Sequence, residues 1–221
     1  MVPTAVVVGA GPGIGKSVAD RFAREGFSVA VIARREETVL RVAADVGQDG
    51  REVLALTADS TDEESLRAAL ATVAAQLGPI DAAVYNAALI RRDAPGELGA
   101  RGQLDAWAVN VVGALSTAAH VAPGMAERGH GSILVTGGMP RPDPGYVSLG
   151  LGKFGVRTLV SLLDAEYGPA GVHVASVTVP GAVAQGTAHD PDDIADHYWR
   201  LHTQPRDAWE HEVVHGGVPA S

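Results

Sequence analysis

An apolar run, Ala5-Val6-Val7-Val8, breaks into Gly9-Ala10-Gly11-Pro12-Gly13-Ile14-Gly15 and resumes in a helical pattern at Lys16. A strand apolar at every position must be covered on both faces, the condition of a parallel sheet between helix layers. Gly9, Gly13 and Gly15 let the chain turn and bring its backbone close to an anion with no Cβ in the way. The helix that follows aims unpaired N–H groups and its positive dipole end at that anion. The segment therefore predicts a phosphate cradle, with Gly9, Gly11, Gly13, Ile14 and Gly15 as its contacts. Gly15-Lys16-Ser17 falls one residue short of a P-loop, whose metal also needs an acid at a nearby strand end. The strand Ala82–Tyr85 ends in Asn86-Ala87-Ala88 instead, which weighs against a nucleoside triphosphatase.

Strand and helix patterns then alternate along the chain. Strands read as Ala5–Val8, Ser28–Ile32, Val53–Thr57, Ala82–Tyr85, Ser132–Thr136 and His173–Val177. Helices read as Lys16–Glu25, Glu36–Val46, Glu63–Leu77, Leu104–Arg128, Pro144–Tyr167 and Asp192–His202. This alternation predicts an α/β fold: a doubly wound parallel sheet (a Rossmann fold) in three α/β/α layers. With 221 residues and 46% hydrophobic content, one domain spanning 1–221 is expected. The tail Trp209–His215 offers a short seventh strand, its acid and histidines suiting a sheet edge.

A net charge of −9 argues against nucleic acid or an anionic membrane as partner. No apolar run approaches a membrane span, and a cytoplasmic protein is expected. The absence of cysteine rules out disulfides and thiolate chemistry. His189, His197, His202, His211 and His215 lack zinc-helix spacing and read as surface residues, so no metal is expected.

In doubly wound sheets the ligand crosses the carboxyl ends of the strands. The second strand ends Ile32-Ala33-Arg34-Arg35, without the carboxylate that would hold a ribose 2′-hydroxyl. Arg34 and Arg35 present guanidinium groups suited to a 2′-phosphate, which predicts NADP(H) over NAD(H).

The glycine spacing G-x-x-x-G-x-G, Tyr85-Asn86-Ala87-Ala88, Asn110 in Val109-Asn110-Val111, and Val179-Pro180-Gly181 together resemble the short-chain dehydrogenase/reductase family, in order from Ala5 to Thr187. The resemblance implies that Asp59 and Ser60 lie beside the adenine, and that Asn86 and Ala87 contact the cofactor. It also implies that Pro180, Gly181, Val183 and Thr187 flank the nicotinamide. Catalysis in the family rests on Asn, Ser and a Tyr-x-x-x-Lys pair. Asn110 and Lys153 match, but Leu149 stands at the tyrosine position and Gly137-Gly138 at the serine.

Tyr146 lies seven residues before Lys153. On a helix capped by Asp143, with Pro144 at its first position, seven steps return to within about 20° and place phenol and ammonium on one face. That spacing is similar to the divergent branch of the family that includes enoyl-ACP reductases, with Tyr146, Lys153 and Asn110 as catalytic residues. Lys153 would also hold the nicotinamide ribose, and Gly150 and Gly152 would leave the cofactor room. Around 182–203 little chain remains for the helices that close over substrate in the family, so an open pocket is expected, with His197, Tyr198 and Trp199 as its remaining lid. The resemblance implies hydride transfer to a carbonyl or enoyl group of a small-molecule or thioester-linked substrate. It also implies a homodimer or homotetramer built through Leu104–Arg128 and Pro144–Tyr167. The displaced tyrosine leaves open a cofactor-binding protein without redox activity, or one reused for non-redox chemistry.

Overall fold

The computed structural model describes residues 2–48 and 51–217. Seven parallel strands form one sheet: β1 (Thr4–Val8), β2 (Ser28–Ala33), β3 (Val53–Thr57), β4 (Ile80–Tyr85), β5 (Gly131–Gly138), β6 (Val172–Val179) and β7 (Glu212–Val214). Their order is β3-β2-β1-β4-β5-β6-β7. The helices are α1 (Ile14–Arg24), α2 (Glu36–Val46), α3 (Glu63–Leu77), α4 (Ala100–Trp107), α5 (Gly113–Arg128), α6 (Val147–Tyr167) and α7 (Pro191–Thr203).

Successive side chains of a strand point to opposite faces, and the core follows that period of two. Val6, Val8, Ala83, Ile133 and Val135 pack beneath α3, α5 and α6. Ala5, Val7, Val84, Leu134 and Val177 pack beneath α1, α2 and α7. The fold is thus the expected three-layer, doubly wound domain. The chain winds outward from β1 to β3, then crosses back to β4, so strand order reverses between β1 and β4. Their carboxyl ends, Val8 and Tyr85, lie side by side, and a ligand cleft opens there. The tail adds β7 at the sheet edge, paired to β6 through Val177 and Val213.

Two helices differ from expectation. Leu104–Arg128 is not one helix: α4 and α5 are joined by a wider π-turn, Ala108–Val112. The buried Tyr85 hydroxyl donates to the Val109 carbonyl at 2.5 Å, drawing it from the helical ladder. Gly113 makes this possible, because a Cβ there would collide with the Tyr85 hydroxyl. Burial, the leading cause, pushes the Tyr85 phenol up to about 12, so it serves as a donor.

Helix α6 starts at Val147, three residues later than Pro144, with Tyr146 as the N-cap. Asp143 is consumed ahead of the helix, accepting the Gly145 amide on its side chain and the Tyr146 amide on its carbonyl. The capping carboxylate comes from afar. Asp93, 1% exposed, accepts the Ser148 amide at 3.0 Å and the Ser148 hydroxyl at 2.8 Å. The irregular segment that carries Asp93 is thereby fastened to the start of α6.

Candidate active site

The cleft at the carboxyl ends encloses about 890 Å³ and runs from Arg34 and Arg35 at one end to Tyr146 and Lys153 at the other. Its floor is the glycine turn. Gly9 has φ +88, a left-handed conformation, and a Cβ there would collide with the Ala87 backbone. The Gly9 and Ala10 amides donate to the Ile32 carbonyl, tying the turn to β2. Gly13, the N-cap of α1, brings no capping side chain, and the first turn holds no acid. The positive end of α1 is thus left to whatever occupies the cleft, which Gly9, Gly11, Gly13, Ile14 and Gly15 all line. A pyridine dinucleotide fits this arrangement: an open backbone cradle suits its diphosphate, and two arginines stand where its adenosine ribose would lie.

Arg34 and Arg35 are exposed on the cleft wall beside Thr38, which sequence reasoning missed. Ala58 and Ser60 line it too, whereas Asp59 does not. Asp59 Oδ1 accepts the Thr61 amide and hydroxyl, both at 2.8 Å, closing a local turn. Burial raises the Asp59 carboxyl, but the Thr61 bonds and nearby Arg34 outweigh it and hold the group below its ordinary value.

Asn86 and Ala87 line the cleft, and Asn86 anchors a buried chain of polar groups. Its Nδ2 donates to Gly9 O at 2.9 Å, and its Oδ1 accepts the Thr136 hydroxyl at 2.8 Å. Thr136 having spent its proton, the Tyr198 hydroxyl 2.6 Å away is the donor to it. Tyr198 is fully buried on α7, and burial drives its phenol well above the ordinary range. The expected lid is corrected accordingly. Residues 191–203 form a helix in the outer layer, with Trp199 edge-on to Phe22 and Phe27. The chain beside the cleft is the short segment holding Pro180, Gly181, Ala182 and Val183. Thr187 lies outside the lining, its hydroxyl donating to Ala184 O. His215 is buried, not superficial, bonded to the Ala188 carbonyl at 2.8 Å and to His197 at 3.1 Å.

At the end away from the arginines the cleft holds Lys153, 6% exposed, whose Nζ donates to Thr136 O at 2.6 Å. Burial first, and the charge of Arg157 second, lower its ammonium to about 8. Tyr146 lines the same cleft, and the Arg92 guanidinium lies 5.6 Å from its ring centroid. As the N-cap, Tyr146 does not share a continuous helical face with Lys153; the turn before α6 and the cap from Asp93 carry it to the cleft. Leu149 and Gly138 line the wall where the family's tyrosine and serine are expected.

Asn110 is not in the lining. It is 1% exposed in the π-turn, and its side chain pairs with the main chain of Leu89, accepting the amide at 2.8 Å. Gly150 and Gly152 do not line the cleft either. Gly152 lets α6 approach the π-turn, since a Cβ there would stand 2.7 Å from Asn110 Cβ.

A sheet in the order found, a glycine turn at its reversal point and a cleft lined by a buried lysine and a tyrosine define a nucleotide-binding α/β protein of the dehydrogenase type. The short-chain dehydrogenase family model matches residues 3–194, and the chain belongs to that family. Oxidoreductase UcpA of Salmonella typhimurium is 30% identical over 86% of this chain and 75% of its own. A short-chain dehydrogenase from Rhodopseudomonas palustris superposes with TM-score 0.87 at 27% identity, covering 96% of this chain and 97% of its own. A metagenomic short-chain oxidoreductase, solved in complex with NADP, gives TM-score 0.87 at 26% identity over 96% of both chains.

Proposed function

We propose that this chain is an NADP(H)-dependent reductase of carbonyl or enoyl groups on a small-molecule or thioester-linked substrate. The observation that carries the reading is that Arg34 and Arg35 line the same continuous cleft as Lys153 and Tyr146. Arg34 and Arg35 would hold the 2′-phosphate, Gly9 to Gly15 the diphosphate, and Asn86, Ala87, Pro180, Gly181 and Val183 the nicotinamide half. The bound nicotinamide supplies the hydride. Tyr146 donates the proton to the substrate oxygen, because it is the only tyrosine among the described residues that lines the cleft. Lys153, held against Thr136 O, places a positive charge beside that oxygen as negative charge develops on it. Asn110 acts at a distance, fixing the Leu89 backbone next to cleft-lining Ile90. The NADP complex of the metagenomic neighbour supports the cofactor assignment.

The outer faces of α4, the π-turn, α5 and α6 leave Leu104, Trp107, Val112, Leu115, Leu151 and Phe154 exposed. This apolar stripe supports assembly of two or four copies through these helices.

The test is titration with NADPH and NADH by cofactor fluorescence, followed by turnover on ketones, aldehydes and enoyl thioesters. Arg34→Ala lowers the preference for NADPH by about tenfold or more, because a charge-assisted contact is worth roughly 1.5–3 kcal/mol. Tyr146→Phe abolishes turnover and keeps cofactor affinity. An unchanged preference refutes the NADP(H) assignment, and undiminished turnover in Tyr146→Phe removes the proton donor.

A further inference from the structure

We infer that Arg157, anchored by Glu212, is the positioning residue for the active-site turn Gly137–Met139. The inference rests on the reductase reading and names what holds its catalytic wall in place. Met139 has φ +50 and is the one non-glycine residue among those described with positive φ. It also precedes Pro140, which narrows its backbone choices further. Such a conformation persists only where the surroundings over-determine it. The surroundings here are the Arg157 guanidinium. Its Nη2 donates to Gly138 O at 3.0 Å and its Nη1 to Met139 O at 3.2 Å. Its Nε donates to Glu212 Oε1 at 2.9 Å, and the same oxygen accepts the Thr178 hydroxyl at 2.5 Å.

The planar fork of Arg157 therefore grips both carbonyls of the turn, and Glu212, on the edge strand, fixes the fork. Thr178 completes the clamp from the neighbouring strand: it is the ladder partner of Gly137, and a side chain at Gly137 would collide with its hydroxyl, so the end of β5 is held close against β6. Gly138 and Met139 line the cleft with Lys153, whereas Arg157 and Glu212 do not. They act through the turn. Arg157 also lies one helical turn beyond Lys153, and its positive charge is the second cause, after burial, of the lowered Lys153 ammonium. Fork and charge separate by substitution: Arg157→Lys keeps the charge and loses the two-carbonyl grip, and Arg157→Leu loses both.

The chain has three methionines, Met1, Met125 and Met139. A protein carrying 13C-methyl methionine, with Met139→Leu to assign the signal, reads the turn directly and needs no turnover. In Arg157→Leu the Met139 resonance shifts or broadens while that of Met125 stays. Reductase kcat then falls about tenfold to a hundredfold, the scale of a small misplacement, with NADPH affinity within about threefold. The alkaline limb of the pH–rate profile moves upward. In Arg157→Lys the limb stays and the kcat loss remains. Glu212→Gln moves the Met139 signal in the same direction by less and, as the milder change, decides the matter if Arg157→Leu does not fold. An unmoved Met139 resonance in Arg157→Leu, or in Glu212→Gln should the former not fold, overturns the inference, as does a lower unfolding temperature with kcat, KM and the pH limb unchanged. If wild-type protein binds neither nucleotide, the reductase reading fails and the methionine signal still decides the clamp.

Discussion

Around Gly9–Gly15 the cleft wall is main chain, shaped by glycines adjacent in sequence and pinned to β2 by two amides. Around Gly137–Lys153 the wall is held by side chains that arrive from far along the chain, with Asp93 and Ser148, and Arg157 and Glu212, each 55 positions apart. At Gly9 and Gly15 a Cβ would meet backbone, so those two positions admit no side chain, whereas Gly11 and Gly13 face open space. At the Lys153 end Leu149 and Gly138 line the wall, and the residues that brace it, Asp93, Ser148, Arg157 and Glu212, stand outside the lining. The two ends of one cleft are thus built by different means, one by local backbone and one by distant side chains.

The largest effect that probes this contrast comes from one glycine at each end. Gly9→Val forces a left-handed backbone and a collision with Ala87, so it costs more than about 4 kcal/mol in urea unfolding or yields no folded protein. Gly138→Ala places its Cβ 3.6 Å from the Lys153 chain, an ordinary contact, and changes stability by about 1 kcal/mol or less. Equal costs would break the comparison.

The next effect sharpens it at Lys153. Its ammonium is lowered from 10.5 to about 8 in the folded protein. The unfolded chain therefore binds the extra proton between those values, and stability rises with pH across that window. Below pH 8 the buried ammonium carries its full penalty, on the order of 3 kcal/mol. Lys153→Met is expected to stabilise the nucleotide-free protein by about 2 kcal/mol at pH 7, one partner of Thr136 O being lost. The gain should fade above pH 10.5. Unfolding curves at the two pH values check it, and a pH-independent difference would show that the penalty is absent.

An effect of similar size and opposite sign tests the long-range cap. Asp93→Ala removes the acceptor of the Ser148 amide and hydroxyl, costing about 2 kcal/mol. Amide exchange at Ser148 and Leu149 should accelerate, while exchange in α1 stays as it was. Acceleration in both helices would show that the two ends are not independently held.

The same contrast explains what the sequence made legible. Parallel strands, the glycine turn and the seventh strand follow from local period and residue type, and the structure has them. The start of α6 differs from the sequence expectation because Asp143-Pro144 is a sound local capping signal, overridden by a carboxylate from a separate loop. The single helix Leu104–Arg128 was broken by a phenol on β4, which no window around Asn110 contains. Tyr198 read as a lid candidate because a Tyr-Trp pair on an amphipathic helix does not reveal which neighbour it faces. Arg157 carries no signal in the sequence, since its partners are two carbonyls whose positions only the folded chain defines.

The line of polar groups from Tyr198 to Gly9 has one direction, each hydroxyl giving its hydrogen toward the glycine turn. Tyr198, the first donor, is fully buried on the sheet-facing side of α7, so its hydroxyl meets bulk water when that helix lifts from the sheet. Its hydroxyl hydrogen would then exchange with deuterium only as often as the outer layer opens. A single proton in the spectrum would serve as a clock for breathing motions behind the cleft.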